Sequence, residues 1–186
     1  MGAIALRPAL PADALELGAL HVASWQETYA GLLPKAMLAE QSAEARAAMW
    51  ASVLADPDAF GDAALFVAEE DGQILGFASC ADQRDPALAQ AGFGGEIGAI
   101  YVLRAHQGKG IGRLLMTAIA RALSERGYQA ASLWVLEQNV AARAFYDRLG
   151  GTTVAKRSEP LPDATLTELA YGFENGTLLA NKPPAL

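Results

Sequence analysis

Between an apolar run and an amphipathic one lies Gln107-Gly108-Lys109-Gly110-Ile111-Gly112, in which three glycines alternate with other residues. Glycine leaves the backbone open to a close ligand and adopts conformations barred to other residues. At a helix start, such a stretch also offers unpaired N–H groups at the positive end of the helix dipole. That combination suits an anion, and a phosphate most naturally. Two familiar phosphate loops fit poorly. The dinucleotide fingerprint wants a third glycine where Arg113 stands, and the P-loop wants Ser or Thr after Gly-Lys, where Gly110 follows Lys109. A plain tight turn is a weaker reading, because a turn needs only one or two glycines.

Other side chains invite chemistry with less support. His21, Ser24 and Cys80 lie outside any strand–Ser–helix elbow or Cys/His constellation, so they are assigned structural roles. With two histidines in the chain and no His/Asp clustering, a metal site is not expected. Trp25 and Tyr29 stand four apart in a helical pattern, a spacing that serves core packing and a pocket wall equally well. Asn139 heads another helical pattern and suits its N-cap. Tyr146 carries a phenol that can donate a proton at neutral pH, whereas neighbouring Phe145 cannot. Val140, Ala144, Phe145 and Leu149 would furnish that helix with a buried side even without Tyr146.

The elements that must position these residues can be read from periodicity. Ile97 to Leu103 reads as a buried strand before the glycine loop, and residues 111–126 as an amphipathic helix closed by Gly127. Upstream, Ala3 to Arg7 is a short strand, and Pro11-Ala12-Asp13 opens a helix with Leu15, Ala19, Val22 and Ala23 on its apolar side. Ser42 caps a second helix to about Leu54, with Ala45, Met49 and Val53 inward. Leu65 to Glu70 and Gln73 to Cys80 form a hairpin over Asp71-Gly72. Asp82 to Gly95 reads as a mobile loop. Downstream come a strand from Ala130 to Leu136, a helix from Asn139 to Leu149, and a hairpin of Thr152 to Arg157 with Thr165 to Phe173 over Glu159 to Asp163. The order βααβββαβαββ defines a mixed α/β fold in one domain, residues 1–178, followed by a frayed tail, 179–186.

Two blocks in this order resemble the GCN5-related N-acetyltransferases. Gln107, Gly110 and Gly112 fill the family's motif A, Q/R-x-x-G-x-G/A, and Asn139, Ala142, Phe145, Tyr146 and Gly150 fill motif B, N-x-x-A-x-x-F-Y-x-x-x-G. The resemblance implies a central sheet whose strands four and five splay into a V that holds acetyl-CoA. It implies that Gln107, Gly108, Lys109, Gly110, Ile111 and Gly112 hold the diphosphate. The backbone of Ile100, Tyr101 and Val102 would meet the pantetheine arm, Val102 N–H facing the thioester oxygen. Asn139 and Ala142 would lie along that arm, Trp25 and Tyr29 against the acceptor, and Tyr146 would be the acid that protonates the departing thiolate. Glu96, eleven residues before Gln107, stands where some members keep a catalytic glutamate; others use a bound water, and the sequence does not choose.

The implied activity is acetyl transfer from acetyl-CoA to a primary amine, a small molecule or a peptide N-terminus, in a direct ternary complex. A silent acyl-CoA-binding module and a transferase for longer acyl groups are the alternatives, and retention of both Glu96 and Tyr146 favours the enzyme. Charge agrees: residues 1–100 carry 4 Lys/Arg against 14 Asp/Glu, whereas residues 104–148 carry 7 against 3. The positive part suits a cofactor with several phosphates, and the acidic part suits a cationic acceptor or only a solvated face. A net charge of −7 argues against nucleic acid. The apolar runs are too short for a bilayer and no signal peptide is visible, so a soluble cytoplasmic protein is expected. Dimerisation, common for this fold, is not specified by any residue here.

Overall fold

The computed structural model describes residues 2–161, 164–174 and 176–177. Seven strands form one sheet in the order β1-β2-β3-β4-β5-β7-β6. They are β1 (Ala5–Pro8), β2 (Ala64–Glu70), β3 (Gln73–Asp82), β4 (Gly95–Val102), β5 (Ala130–Leu136), β6 (Thr152–Leu161) and β7 (Ala164–Glu174). All neighbours are antiparallel except β4 and β5, which run parallel. The helices are α1 (Ala14–Tyr29), α2 (Lys35–Ala39), α3 (Ala43–Ala55), α4 (Pro86–Gln90), α5 (Ile111–Glu125) and α6 (Val140–Arg148). This is the expected mixed α/β pattern with two short helices added.

Each junction has a local cause. Asp71 and Gly72 both take positive φ, 52° and 81°, which gives the β2–β3 turn the twist a two-residue hairpin requires. Ser42 caps α3 by accepting from Ala45 N at 3.1 Å. Helix α5 ends as expected: Gly127 has φ 85°, and Tyr128 N donates back to Leu123 O at 3.0 Å. Asp85, with Pro86 behind it, caps α4 through Ala87 N at 2.9 Å, and Leu88 is buried beneath. The stretch from Asp82 to Gly95 is therefore an anchored segment rather than the mobile loop expected.

The sheet carries two cores, one on each face. Helices α5 and α6 cover one, where Leu115, Ile119, Leu123, Leu133, Val135 and Tyr146 meet. Helices α1 and α3 cover the other, with Leu17, Leu20, Trp50 and Phe77. The inward sides of these two helices differ from the sequence reading. In α1 the buried residues are Ala14, Leu17, Gly18, Leu20, His21 and Ser24, while Leu15 is 79% exposed. In α3, Ala47 and Trp50 join Val53. At the far edge β6 runs on through Glu159, Pro160 and Leu161, Pro160 facing Thr165, so most of the expected loop is strand; Pro162, Asp163 and the tail 179–186 lie outside the described residues. Proline fits there because an edge strand has a free side. No described helix is long and apolar enough to cross a membrane.

Gly18 is where α1 and α3 come closest. A Cβ there would lie 2.5 Å from Ala43 O and 2.6 Å from Ala47 N, both backbone atoms that cannot step aside alone. Gly18→Ala is expected to lower stability by about 1–3 kcal/mol through overpacking, read as an earlier urea midpoint with unchanged slope.

Candidate active site

Strands β4 and β5 pair at only two positions, Gly95 with Ala131 and Glu96 with Ser132. Beyond them the strands part. The register between β3 and β4 shifts from Cys80–Ile97 to Ser79–Ala99, leaving Gly98 as a bulge at the point of departure; bulges bend and twist a strand in this way. The V implied by the resemblance is thus present, and it opens into a cavity of about 720 Å³ walled by both arms, the glycine loop, the end of α1 and α6.

Leu103 N donates to Leu75 O at 3.0 Å, so Leu103 turns its backbone toward β3. In an antiparallel ladder that orientation alternates, and Tyr101 faces β3 as well. Ile100 and Val102 accordingly direct their N–H groups into the gap. Gln107 Nε2 donates to Val102 O at 3.0 Å, tying the loop to the same residue and leaving the Val102 N–H for a ligand. Tyr101 differs from the expectation: its backbone belongs to the ladder, and its side chain forms the wall. That ring packs 5.7 Å from Phe77 and 5.1 Å from His21, and its hydroxyl meets that of Tyr29.

In the glycine loop, Gly108 and Gly110 have φ of 76° and 84°, a region that costs other residues about 1–2 kcal/mol. Gly110 is the N-cap of α5 and offers no capping side chain, so the first-turn N–H groups are left for an anion. Gly112 is needed for a different reason: a Cβ there would lie 3.0 Å from the Phe145 ring. Gln107, Gly108, Gly110, Ile111 and Gly112 all line the cavity, with Arg104, His106, Arg113 and Arg148 around them; Lys109 lies off the wall, its Nζ 3.5 Å from His106 Nδ1.

Asn139 accepts from Ala142 N at 3.2 Å as the N-cap of α6, and both residues line the cavity. Tyr146 lines it too, yet it is the buried residue of α6; Val140 is exposed and Phe145 half-buried against the gap. The apolar side expected of this helix is therefore replaced by Tyr146 itself with Leu149. Burial first, then the neighbouring Tyr29, pushes the Tyr146 hydroxyl well above the ordinary phenol range, so it holds its proton.

Tyr29 is on the cavity wall, and Trp25 backs it edge-on at 4.9 Å. Glu96 sits at the vertex of the V, off the cavity wall, its side chain 12% exposed and gripped by Arg84. The Arg84 backbone N donates to Glu96 Oε2 at 3.0 Å, and its Nε reaches both carboxylate oxygens at 3.2 and 3.0 Å. Among the described residues no His/Cys/Asp/Glu group could hold a metal. Cys80 is buried, which pushes its thiol up to about 11 and leaves it unreactive.

Sequence reading missed Glu27, which lines the cavity and accepts from Arg104 N at 2.9 Å, while the Arg104 guanidinium donates to Glu27 O. These contacts tie the end of α1 to the turn before the glycine loop. No local pattern announces a bond across 77 residues.

Comparison with known proteins agrees with this geometry. The profile of the acetyltransferase (GNAT) family matches residues 22–151. A Bacillus subtilis protein named uncharacterized N-acetyltransferase YuaI is 29% identical over 171 residues, spanning 91% of this chain and 92% of its own. A mycothiol acetyltransferase of Amycolatopsis mediterranei is 39% identical over 97 residues, which is 50% of this chain and 31% of that protein. Among solved structures, the PaiA N-acetyltransferase of Thermoplasma acidophilum, in complex with coenzyme A, superposes with a TM-score of 0.72 at 18% identity, covering 92% of this chain and 99% of that one. The chain belongs to the GNAT family, and so to the acetyl-CoA-dependent acetyltransferases.

Two outcomes follow. Gly110→Ala places a side chain in a left-handed conformation at the loop, and should weaken coenzyme A binding about tenfold by calorimetry while lowering the stability of the free protein by about 1–2 kcal/mol. His21 accepts from Trp50 Nε1 at 3.2 Å, and burial, then Arg46, lowers it to about 4. Between pH 6.5 and 4 the unfolded chain takes up a proton at this residue that the folded one does not, so stability falls as pH falls through that window. The loss is about 3 kcal/mol at most; His21→Gln should be less stable at pH 7 but flatter across the same range.

Proposed function

We propose that the chain moves the acetyl group of acetyl-CoA directly to a primary amine, of a small molecule or a peptide N-terminus, within a ternary complex. The observation that carries this is the gap beyond Glu96–Ser132, which presents Val102 N–H at one end and the bare α5 N-terminus at the other. The loop N–H groups of Gln107 to Gly112 take the diphosphate, and Asn139 and Ala142 flank the arm between. Bound acetyl-CoA supplies an activated acyl carbon. Val102 N–H polarises its carbonyl oxygen, which gains charge as the amine nitrogen attacks.

Atoms balance without a cofactor beyond the co-substrate. The ammonium first loses one proton, in this reading to Glu96 and on to solvent; the N–C bond forms as the C–S bond breaks, Tyr146 donates its hydroxyl proton to the thiolate, and the second nitrogen proton, lost as the amide forms, restores the Tyr146 hydroxyl, so that one proton is released in all. Glu96, the carboxylate at the vertex, faces away from the α5 core that its neighbour Ile97 enters, and in this reading it takes the first proton from the ammonium. Arg84 holds Glu96 and must swing off before it accepts a proton; its own side chain is 79% exposed and free to do so.

Tyr146→Phe should lower kcat about a hundredfold or more while leaving coenzyme A affinity near wild type. Glu96→Gln should abolish the acidic limb of the pH–rate profile, whereas Arg84→Ala, which only frees the carboxylate, should keep it. Wild-type kinetics in both Tyr146→Phe and Glu96→Gln would refute these roles.

A further inference from the structure

The two arms of the V meet at a joint that side chains help to hold. Only two parallel pairs join β4 to β5 there, and parallel pairing is the less stable kind. Gln83, half-buried just after β3, lies across this joint. Its Nε2 donates to Ser132 Oγ on β5 at 2.7 Å and to Gly95 O on β4 at 3.3 Å, while its Oε1 accepts from Asp85 N at 3.0 Å. These bonds fix the sense of the amide, because a flipped group would set oxygen against the Gly95 carbonyl and NH2 against the Asp85 N–H. Ser132 is fully buried, so its hydroxyl needs such a partner. Ala131 and Leu133 enter the α5 core, so Ser132 between them points to the other face, where its register partner Glu96 also points.

We propose that Gln83 is a positioning residue for acetyl transfer: by bridging both arms at their joint, it holds the backbone N–H of Arg84 on the Glu96 carboxylate. This role rests on the reading of Glu96 as the group that takes the first proton, and names what keeps that group in place. Two kinds of contact hold Glu96, the Arg84 guanidinium and the Arg84 backbone N–H, which reaches Oε2 at 3.0 Å. The guanidinium, on a side chain 79% exposed, leaves before Glu96 works. The backbone N–H can leave only if its chain moves, and that chain is pinned on both sides. Before Arg84, Gln83 N donates to Gly94 O at 2.9 Å and the Gln83 amide makes its bridge; after it, Asp85 caps α4 over buried Leu88. Opposite Glu96, β3 presents Ala81 and β5 presents Ser132, neither of them charged. Once Arg84 has swung off, the place of the carboxylate therefore depends on the backbone donor that Gln83 fixes, and a reacting group misplaced by about 1 Å can cost about a hundredfold in rate.

The test is steady-state kinetics on the full chain, followed as thiol release from acetyl-CoA. The acceptors are n-butylamine, 2-phenylethylamine and the tripeptide Ala-Gly-Gly, and the one that the wild type acetylates fastest is used throughout. Gln83→Met, which keeps the length and removes the amide, should lower kcat about tenfold or more, with the amine KM and the coenzyme A affinity within about twofold of wild type. In a Glu96→Gln background the same change should lower kcat by less than about twofold, since the group that Gln83 positions is gone. A tie that only braced the sheet would lower kcat by the same factor in both backgrounds, or would raise KM instead; either result overturns the proposal. Ser132→Ala removes the β5 end of the bridge and leaves the Gly95 end. It should lower kcat by a smaller factor and have no further effect with Glu96→Gln, and it carries the test should Gln83→Met not fold. Wild-type kcat in Gln83→Met beside a slow Glu96→Gln overturns this role alone. Wild-type kcat in Glu96→Gln, or no thiol release with any of the three amines, overturns the transfer reading on which it rests.

Discussion

Backbone hydrogen bonding in the middle of a sheet is close to obligatory, because an N–H or C=O shut away from water without a partner costs as much as a lost hydrogen bond. Here the rule is suspended at one place. Two parallel pairs join β4 to β5, and then nothing in the ladder continues. The strands cannot simply close, since the Gly98 bulge turns β4 away and β5 is fixed on its other side to β7 along its whole length, from Ala130–Glu174 to Leu136–Glu168. The polar edge so created must be met by water or by a ligand with its own amides. A pantetheine arm is such a ligand, and in the reading proposed above it is what lies in this gap.

The two faces of the sheet divide the work around that gap. Helix α5 starts at the gap's end and sinks into one core through Ile111, Leu115 and Ile119, so the anion loop is anchored by buried apolar contacts rather than by charge. Helix α1 lies on the other face and ends at Tyr29, beside the other opening. Glu27 and Arg104 join the two, binding the end of α1 to the turn before the glycine loop. Displacement of either helix would thus be felt at both ends of the cavity.

The strand–loop–helix from Gly95 to Gly127 was legible because each part has its own strong signal: a continuous apolar run, alternating glycines, and a helical stripe closed by a C′ glycine. Helices α1 and α3 were legible as helices but not in their orientation. Their alanines mark no face, so Leu15 appeared inward and Leu17 did not, while the contact that decides the matter is Gly18 against Ala43 and Ala47. The cap that anchors α4, Asp85 with Pro86, was visible in principle and was outweighed by the polar, glycine-bearing surroundings. At the site, the motif positions were readable by type. What no local pattern carried was pairing across the fold: Arg84 on Glu96, Glu27 on Arg104, and the side chain of Tyr101 reaching Tyr29. The splay came from the family resemblance, because a bulge at Gly98 leaves no periodic trace in so short a strand.

The most direct measurement is amide hydrogen exchange, residue by residue, with and without coenzyme A. The expected result is new protection at Ile100 and Val102 but not at Tyr101, whose N–H already faces β3, together with protection through residues 108–112. Protection of Ile100 and Val102 at full strength in the free protein, or coenzyme-induced protection that misses both these strand amides and the loop, would contradict an open gap between β4 and β5 as the coenzyme site.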